Sequence, residues 1–495
     1  MEKLKSKGQI KKKNRCSIYS LDYLKPEVVA VAFAKCSRSS DSFKKIACEL
    51  TDEKSADFHE KWVVGYGHSS VAEHATLHLA IENVSILATK VIEDNRLASY
   101  TEKSTRYQIF NREKYYKPEN VMASSFGKTY EDTMNYIYDT YVGFNEPMRN
   151  FITKKYPIEK NQSEKTYNVI IKARVCDNIR YLLPTATLTN LGITANARVL
   201  EHAIVKLLSH PLKEMQEIGA KIKKEALKII PTLIKFADAN KYIQKTNKSL
   251  SSLSKDFLSK NPEPVNPVEI VDYDKNAENK LVAGLLYRHS NLPYKQIMAQ
   301  VKLMNRKKKE KVIDEALRNR SDYDQPIREF ENIYYTFDIL MDYGAFRDIQ
   351  RHRMCTQLNQ KVTVIHGYDT PKEIREAGLE KEYDKVMDKA AGLYNKLCRR
   401  FPDESQYVIP LAFRKRTLFT WNLRELHHFI SLRTGIKGHI SYRRIAQACW
   451  QKISKIHPLL AKYIRVNMEG GSSSWASTMF NPEYNYMPKI RGKNN

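Results

Sequence analysis

One series of landmarks runs through this chain twice, in the same order and at similar spacing, so whatever the first half folds into, the second half should fold into as well. In the first half Gly67-His68-Ser69-Ser70 leads to Glu73-His74 and Val84-Ser85. The run Arg96-Leu97-Ala98-Ser99-Tyr100-Thr101-Glu102-Lys103-Ser104-Thr105-Arg106-Tyr107 follows, then Arg180-Tyr181-Leu182-Leu183-Pro184 and Asn196-Ala197-Arg198. In the second, Arg328-Glu329-Phe330 precedes Arg351-His352-Arg353, followed by Pro410, Trp421-Asn422-Leu423-Arg424 and His428-Phe429-Ile430-Ser431-Leu432-Arg433. Glu73 lies 23 residues before Arg96 and Glu329 lies 24 before Arg353. The offset between halves is 256 or 257 there and 226 between Asn196 and Asn422, so a deletion of about thirty residues separates these landmarks. That pattern is duplication followed by divergence.

At 495 residues two domains are expected. The repeats are read as 16–240 and 268–485. Between them, 241–267 is rich in Ser, Lys, Asn and Pro and reads as a linker. Apolar residues at helical spacing from Ala197 to Ile234 predict a helical pair broken at Pro211, and a charged helix is predicted over 372–399. The runs 75–81 and 332–338 carry β-branched and aromatic residues and predict strands. Periodicity alone supports mixed α and β.

The chain has 83 basic and 56 acidic residues, a net charge of +27, which favours anionic partners. Lys11-Lys12-Lys13 and Lys307-Lys308-Lys309 read as solvated surface. No groove-reading helix or aromatic-basic RNA motif is recognisable, so nucleic acid is not an expected partner. Seven cysteines without a CxxC pair argue against a disulfide scaffold or a zinc site, and no metal is expected. No apolar run approaches the ~20 residues that span a bilayer, and the start lacks an apolar signal core, so a soluble, cytoplasmic protein is expected.

Two guanidiniums flank an imidazole in Arg351-His352-Arg353. Arginine forks bind phosphate bidentately and a ring nitrogen can contact a redox cofactor, which suggests an anionic, ring-bearing ligand; a solvated basic patch is the plain reading of those three residues alone. The landmarks of both halves together resemble the flavin-dependent thymidylate synthases, whose motif reads RHRxxSxNxxSxRY. The resemblance implies an α+β fold of two tandem thymidylate-synthase-complementing-protein-like domains, each with helices packed on an antiparallel sheet. It implies reductive methylation of dUMP to dTMP, with methylenetetrahydrofolate giving the carbon and NADPH reducing FAD. The family's homotetramer would be reproduced by a homodimer of this duplicated chain, a pseudo-tetramer.

Each half lacks what the other retains. The first half has Asp94 and Asn95 where the motif begins with Arg and His, yet keeps Glu102, Ser104, Arg106 and Tyr107. The second keeps Arg351, His352 and Arg353 but has Asn359, Lys361, Thr363 and Val364 in place of the binding loop. Arg180 faces Gln406 at the corresponding position, and Arg433 faces Leu207. This sorting of losses reads as a hybrid site. By the resemblance, Glu102, Ser104, Arg106, Arg180, Arg351 and Arg433 would bind dUMP, and Arg433 would also stabilise charge developing on the pyrimidine. Arg351, His352, Arg353, Asn422, Arg424 and His428 would hold the flavin, with His68 and Ser70 as further candidates.

Other residues have plainer readings. Cys355 follows the Arg-His-Arg run, but a semi-buried cysteine is commoner than a nucleophile and no nearby base is identifiable. His74, His78 and His202 sit in apolar stretches and are expected as core or interface histidines. Arg198 and Arg424 could each pair with a carboxylate, although their matching positions argue against that for at least one. Gly470-Gly471-Ser472-Ser473-Ser474 lacks the Lys and spacing of a phosphate loop. The departures Asp94, Asn95, Leu207, Leu358 and Lys361 motivate an alternative, a catalytically degenerate flavin- or nucleotide-binding or structural homologue.

Overall fold

The computed structural model describes residues 18–469 apart from 66, 67, 161 and 260. The proposed boundaries at 16 and 485, Lys11 to Lys13, Cys16, Gly67 and the run 470–474 lie outside the described residues. The chain forms two compact units: 1–78 with 194–205 and 220–238, and 79–193 with 206–219 and 239–495.

Short helices dominate the first unit, among them Pro26–Cys36, Phe43–Cys48 and Asp52–Phe58. Its buried carboxylate, Glu27, accepts hydrogen bonds from the backbone N–H groups of Thr232 (3.0 Å) and Leu233 (3.3 Å), which are orphan donors at the start of the turn Pro231–Ile234. His74, His78 and His202 are exposed rather than buried. They are therefore not core histidines of the single chain, because alternate residues of a strand and opposite faces of a helix point away from its core.

Two sheets supply the framework. Strands β1 (Thr76–Ser85), β2 (Ser99–Glu102) and β3 (Leu188–Asn196) pair in the order β1-β3-β2. Strands β4 (Val268–Tyr273), β5 (Tyr334–Asp342), β6 (Cys355–Asn359) and β7 (Arg414–Asn422) form an antiparallel sheet of order β4-β5-β7-β6. Its register sets Tyr334 opposite Asn422 and Asp342 opposite Arg414. Lys415, Thr417, Phe419 and Trp421 alternate inward on β7. The Trp421 ring stacks on Phe419 (4.5 Å) and on Phe429 of the following helix (4.7 Å), which fixes helix against sheet. The fold is thus α+β, helices packed on antiparallel sheets, with the predicted strands at 75–81 and 332–338 overlapping β1 and β5.

Within the second unit the two repeats start corresponding helices with corresponding caps. Ser85 caps the helix Ile86–Ile92 by accepting from Ala88 N (2.9 Å), and Asp342 caps Tyr343–Ile349 by accepting from Ala345 N (2.7 Å). Where the repeats meet, Thr185 N donates to Ile409 O and Leu411 N to Leu183 O, each at 2.9 Å, around a Pro184–Pro410 bridge. Behind each cap sits an acid, a hydroxyl and a tyrosine from the opposite repeat. Ser85 Oγ (2.6 Å) and Tyr407 OH (2.7 Å) both donate to Glu214. On the other side Ser441 donates to Asp342, with Tyr181 beside them. The acid and the hydroxyl have changed places.

Two elements differ from expectation. The segment read as linker contains the helix Lys241–Phe257, none of whose residues is buried; Asn240 caps it by accepting from Tyr242 N at 2.8 Å. The charged helix over 372–399 divides into Lys372–Glu376 and Glu380–Leu397 at Gly378, whose φ of 75° no helix accommodates. The predicted pair over 197–234 breaks as expected around Pro211, giving Ala197–Leu208 and Lys213–Ala226. Among the described residues no helix is long and apolar enough to cross a membrane.

Candidate functional site

Glu102 ends β2 in the first repeat and is held from both repeats. Thr89 Oγ1 (2.9 Å), Lys90 Nζ (2.9 Å) and Arg347 Nη2 (2.8 Å) all donate to it. Burial by itself would push this carboxyl up, but Arg347 and Lys90 outweigh it and hold it down at about 2. Lys90 also pairs with buried Glu93, so two cations face two carboxylates. In the second repeat the corresponding residue is Asn359, uncharged and bonded to Thr417 Oγ1 at 3.0 Å. A shallow, open cleft of about 270 Å³ is lined by Glu82, Thr101, Glu102, Lys103 and Gly192.

Beyond β2 the chain turns, with Ser104 Oγ accepting from Arg106 N at 3.1 Å. The Arg106 fork is spent on Asp177, Nε at 2.6 Å and Nη2 at 2.8 Å. Asp177 lies near the end of the helix Glu164–Ile179, and its carbonyl meets His439 Nε2 at 3.2 Å. Arg180 follows that helix and is 3% exposed. Its Nη1 lies 3.7 Å from Asp348, too far for a hydrogen bond, and Nε and Nη2 have no partner. Gly344 makes room for it: a Cβ there would sit 3.4 Å from Arg180 Nη2 and 3.0 Å from Asp342 Oδ1. A buried guanidinium with orphan donors is costly and calls for an explanation.

The Arg-His-Arg run divides its three side chains among different tasks. Arg351 is exposed and has no hydrogen-bond partner among the described residues. His352 is buried, with Nδ1 2.9 Å from Glu425 Oε1 and Nε2 accepting from Arg433 Nε at 2.8 Å. Burial first, then Arg433, drive its pKa well down, so the ring is neutral. Arg353 donates to the carbonyls of Arg96 (2.6 Å) and Ala98, and so holds the start of the first repeat's loop. Arg433 also donates to Asp348 O at 2.6 Å and lies 5.2 Å from the Tyr442 ring.

The remaining candidates are structural in their contacts. Asn422 caps the helix Leu423–Arg433 by accepting from Glu425 N at 2.8 Å. Arg424 donates to Pro326 O (2.8 Å) and to Glu331 (2.7 Å). Arg198 pairs with Glu73, so both of the matching arginines, against expectation, are paired with carboxylates. His428 lies 5.4 Å from His352, ring to ring, with Gln325 at 3.5 Å. Cys355 is buried, donates to His352 O, and burial pushes its thiol up to about 12, which suits packing rather than nucleophilic attack. His68 and Ser70 are exposed residues of the other compact unit.

Sequence reasoning missed Asp177, Asp348, Glu425, Lys90 and Arg347, the residues that hold the candidates. Lys90 and Arg347 left a signal, since they occupy matching positions in the two repeats, 257 apart, and so did Asp177, matched by Asp403 at the 226 offset. The description "thymidylate synthase complementing protein" matches this chain over residues 21–232 and 269–459. The chain belongs to that family. It is 33% identical over 434 residues to a UPF0159 protein of Chlamydia pneumoniae, covering 84% of this chain and 82% of the relative. It is 29% identical over 451 residues to a UPF0159 protein of Thermoplasma acidophilum, covering 84% and 90%. A flavin-dependent thymidylate synthase of Sulfolobus acidocaldarius is 30% identical over 223 residues, 43% of this chain and 72% of that protein.

In this member of the thymidylate synthase complementing protein family the two pseudo-equivalent positions have diverged. Where the first repeat has Arg180, Gln406 uses its Oε1 to accept from Val362 N at 3.2 Å. Lys361 pairs with Asp403, and Lys206 with Asp94, so the departures from the motif form ion pairs of their own. Arg180 thus keeps two orphan guanidinium donors, whereas Lys361 and Lys206 are each taken up by a carboxylate.

Proposed function

We propose that this chain catalyses flavin-dependent reductive methylation of dUMP to dTMP, with methylenetetrahydrofolate as carbon donor and NADPH as reductant, at a site built from both repeats. The observation that carries the reading is convergence: Glu102, Arg106 and Arg180 of the first repeat meet Arg347, Asp348, His352 and Arg433 of the second within one compact unit. Ser104, Arg180 and Arg351 offer donors for the nucleotide phosphate, and the orphan Nε and Nη2 of Arg180 fit an anion. Arg433 is tied through Nε and Nη2, which leaves Nη1 to face charge developing on the pyrimidine.

FAD, when bound, supplies the redox chemistry. Of the residues proposed to hold it, exposed Arg351 and weakly bonded His428 have capacity to spare. Arg353, Asn422 and Arg424 contribute by shaping the walls, because their polar groups are already engaged. Two copies of the duplicated chain would form the assembly, and the cytoplasm is the expected compartment.

A second reading, a nucleotide- or flavin-binding homologue without turnover, is favoured by one observation. The Arg106 fork and both His352 nitrogens are occupied by protein groups, so ligand must displace or work around them. The visible spectrum of the purified protein separates the readings, followed by dUMP titration and tritium release from labelled dUMP. A flavin band that shifts with dUMP, with tritium release abolished in Arg433→Ala, supports the enzyme. A colourless protein that FAD cannot reconstitute overturns it.

A further inference from the structure

We infer that Glu425 is a positioning residue, which sets the orientation of Arg433 by fixing the tautomer of His352; this rests on the function proposed above for Arg433. An arginine Nε–H can only donate, so His352 Nε2, which it reaches at 2.8 Å, must present its lone pair. The ring's single proton then sits on Nδ1 and is donated to Glu425 Oε1 at 2.9 Å. With Asp348 O taking Arg433 Nη2 at 2.6 Å, the guanidinium is fixed at two points.

Helix geometry explains how one imidazole spans this chain of contacts. Glu425, Phe429 and Arg433 recur every four residues on the helix Leu423–Arg433 and so share a face. His352 lies along that stripe, its ring 5.1 Å from Phe429 and edge-on to it. Glu425 is itself pinned, because Asn422 accepts from its backbone N–H.

The repeats give an independent comparison. At the offsets of 226 and 257 the first repeat carries Val199, Asn95 and Leu207 where the second carries Glu425, His352 and Arg433. The three members occur together in one repeat and are replaced together in the other. A carboxylate serving only as a helix first-turn charge has no reason to be lost along with the histidine and the arginine.

The test uses the full chain with Glu425→Ala and Glu425→Gln, since glutamine keeps an oxygen that accepts from Nδ1–H. First, ¹⁵N-detected histidine spectra of the ligand-free protein, assigned with His352→Gln, report the tautomer. The expected result is Nδ1 protonation in wild type and Glu425→Gln, and a mixed tautomer in Glu425→Ala. Second, the alanine variant should lose kcat for tritium release about 100-fold, the scale of a misplaced catalytic group, with dUMP affinity little changed and glutamine restoring most of the rate. An Nε2-protonated wild-type ring, an unaltered tautomer in Glu425→Ala, or a glutamine variant as slow as alanine overturns the inference. If wild type releases no tritium at all, the function falls, and the tautomer measurements alone decide whether Glu425 orders the ring.

Discussion

Lys90 and Arg347 stand at corresponding positions of the two repeats, and both turn their charge onto a single carboxylate, Glu102, at 2.9 and 2.8 Å. A relation that symmetry would make twice is made once, because the partner of the second arrangement is Asn359.

Glu102→Gln should therefore leave two buried cations short of one charge. Breaking one side of a buried pair costs about 3–5 kcal/mol, so chemical denaturation should show a loss of that order at neutral pH. The sign with pH follows from a carboxyl held at about 2, below its ordinary 4.5: its stabilisation is present above 4.5 and lost as pH falls through 2. The gap between wild type and variant should shrink on acidification. A gap that stays constant down to pH 3 would contradict the ion-paired state.

Asp342 predicts the opposite trend. Burial first, and then Asp369, raise its carboxyl from 3.8 to about 7. A raised folded value contributes stability below 3.8 that is lost as pH rises through about 7, at no more than about 1.4 kcal/mol per pH unit. Melting temperatures of wild type and Asp342→Asn, measured from pH 4 to 8, should converge or cross in favour of the variant as pH rises.

Arg180→Gln, the residue that the second repeat uses at Gln406, should separate binding from stability. Loss of charge-assisted hydrogen bonds worth about 1.5–3 kcal/mol should weaken dUMP binding by roughly 10- to 100-fold in calorimetry. The unliganded variant should melt no lower than wild type, because a buried, incompletely bonded charge has gone. A drop in melting temperature with unchanged affinity would count against Arg180 as an anion donor.

Titration of the flavin-loaded protein should give one dUMP per chain. The Lys361–Asp403 and Lys206–Asp94 pairs neutralise the pseudo-equivalent position. Two equivalent nucleotides per chain would overturn this.

Much of the framework is legible in the amino-acid sequence. The duplication, β1 and β5, and the break near Pro211 follow from spacing, punctuation and side-chain type, which act locally. The helix Lys241–Phe257 was missed because a Ser- and Lys-rich stretch reads as loop, although Asn240 supplies a cap. Within the site, the residues that bear charge could be named from the motif, but the acids that restrain them could not. Asp177, Asp348 and Glu425 come from helices distant in sequence from their partners, and only tertiary packing brings Asp177 to Arg106 or Glu425 to His352.

The exchanged pair behind the helix caps, Ser85 with Glu214 and Asp342 with Ser441, carries a consequence for how such a chain changes over time. In an assembly of identical subunits every substitution is copied into every subunit, so an acid cannot move to one side of an axis while leaving the other. Fusing two copies into one polypeptide frees each from that constraint. A swap of acid and hydroxyl, neutral in total charge, is the kind of step that only a fused pair can take, and it turns two equal partners into specialists.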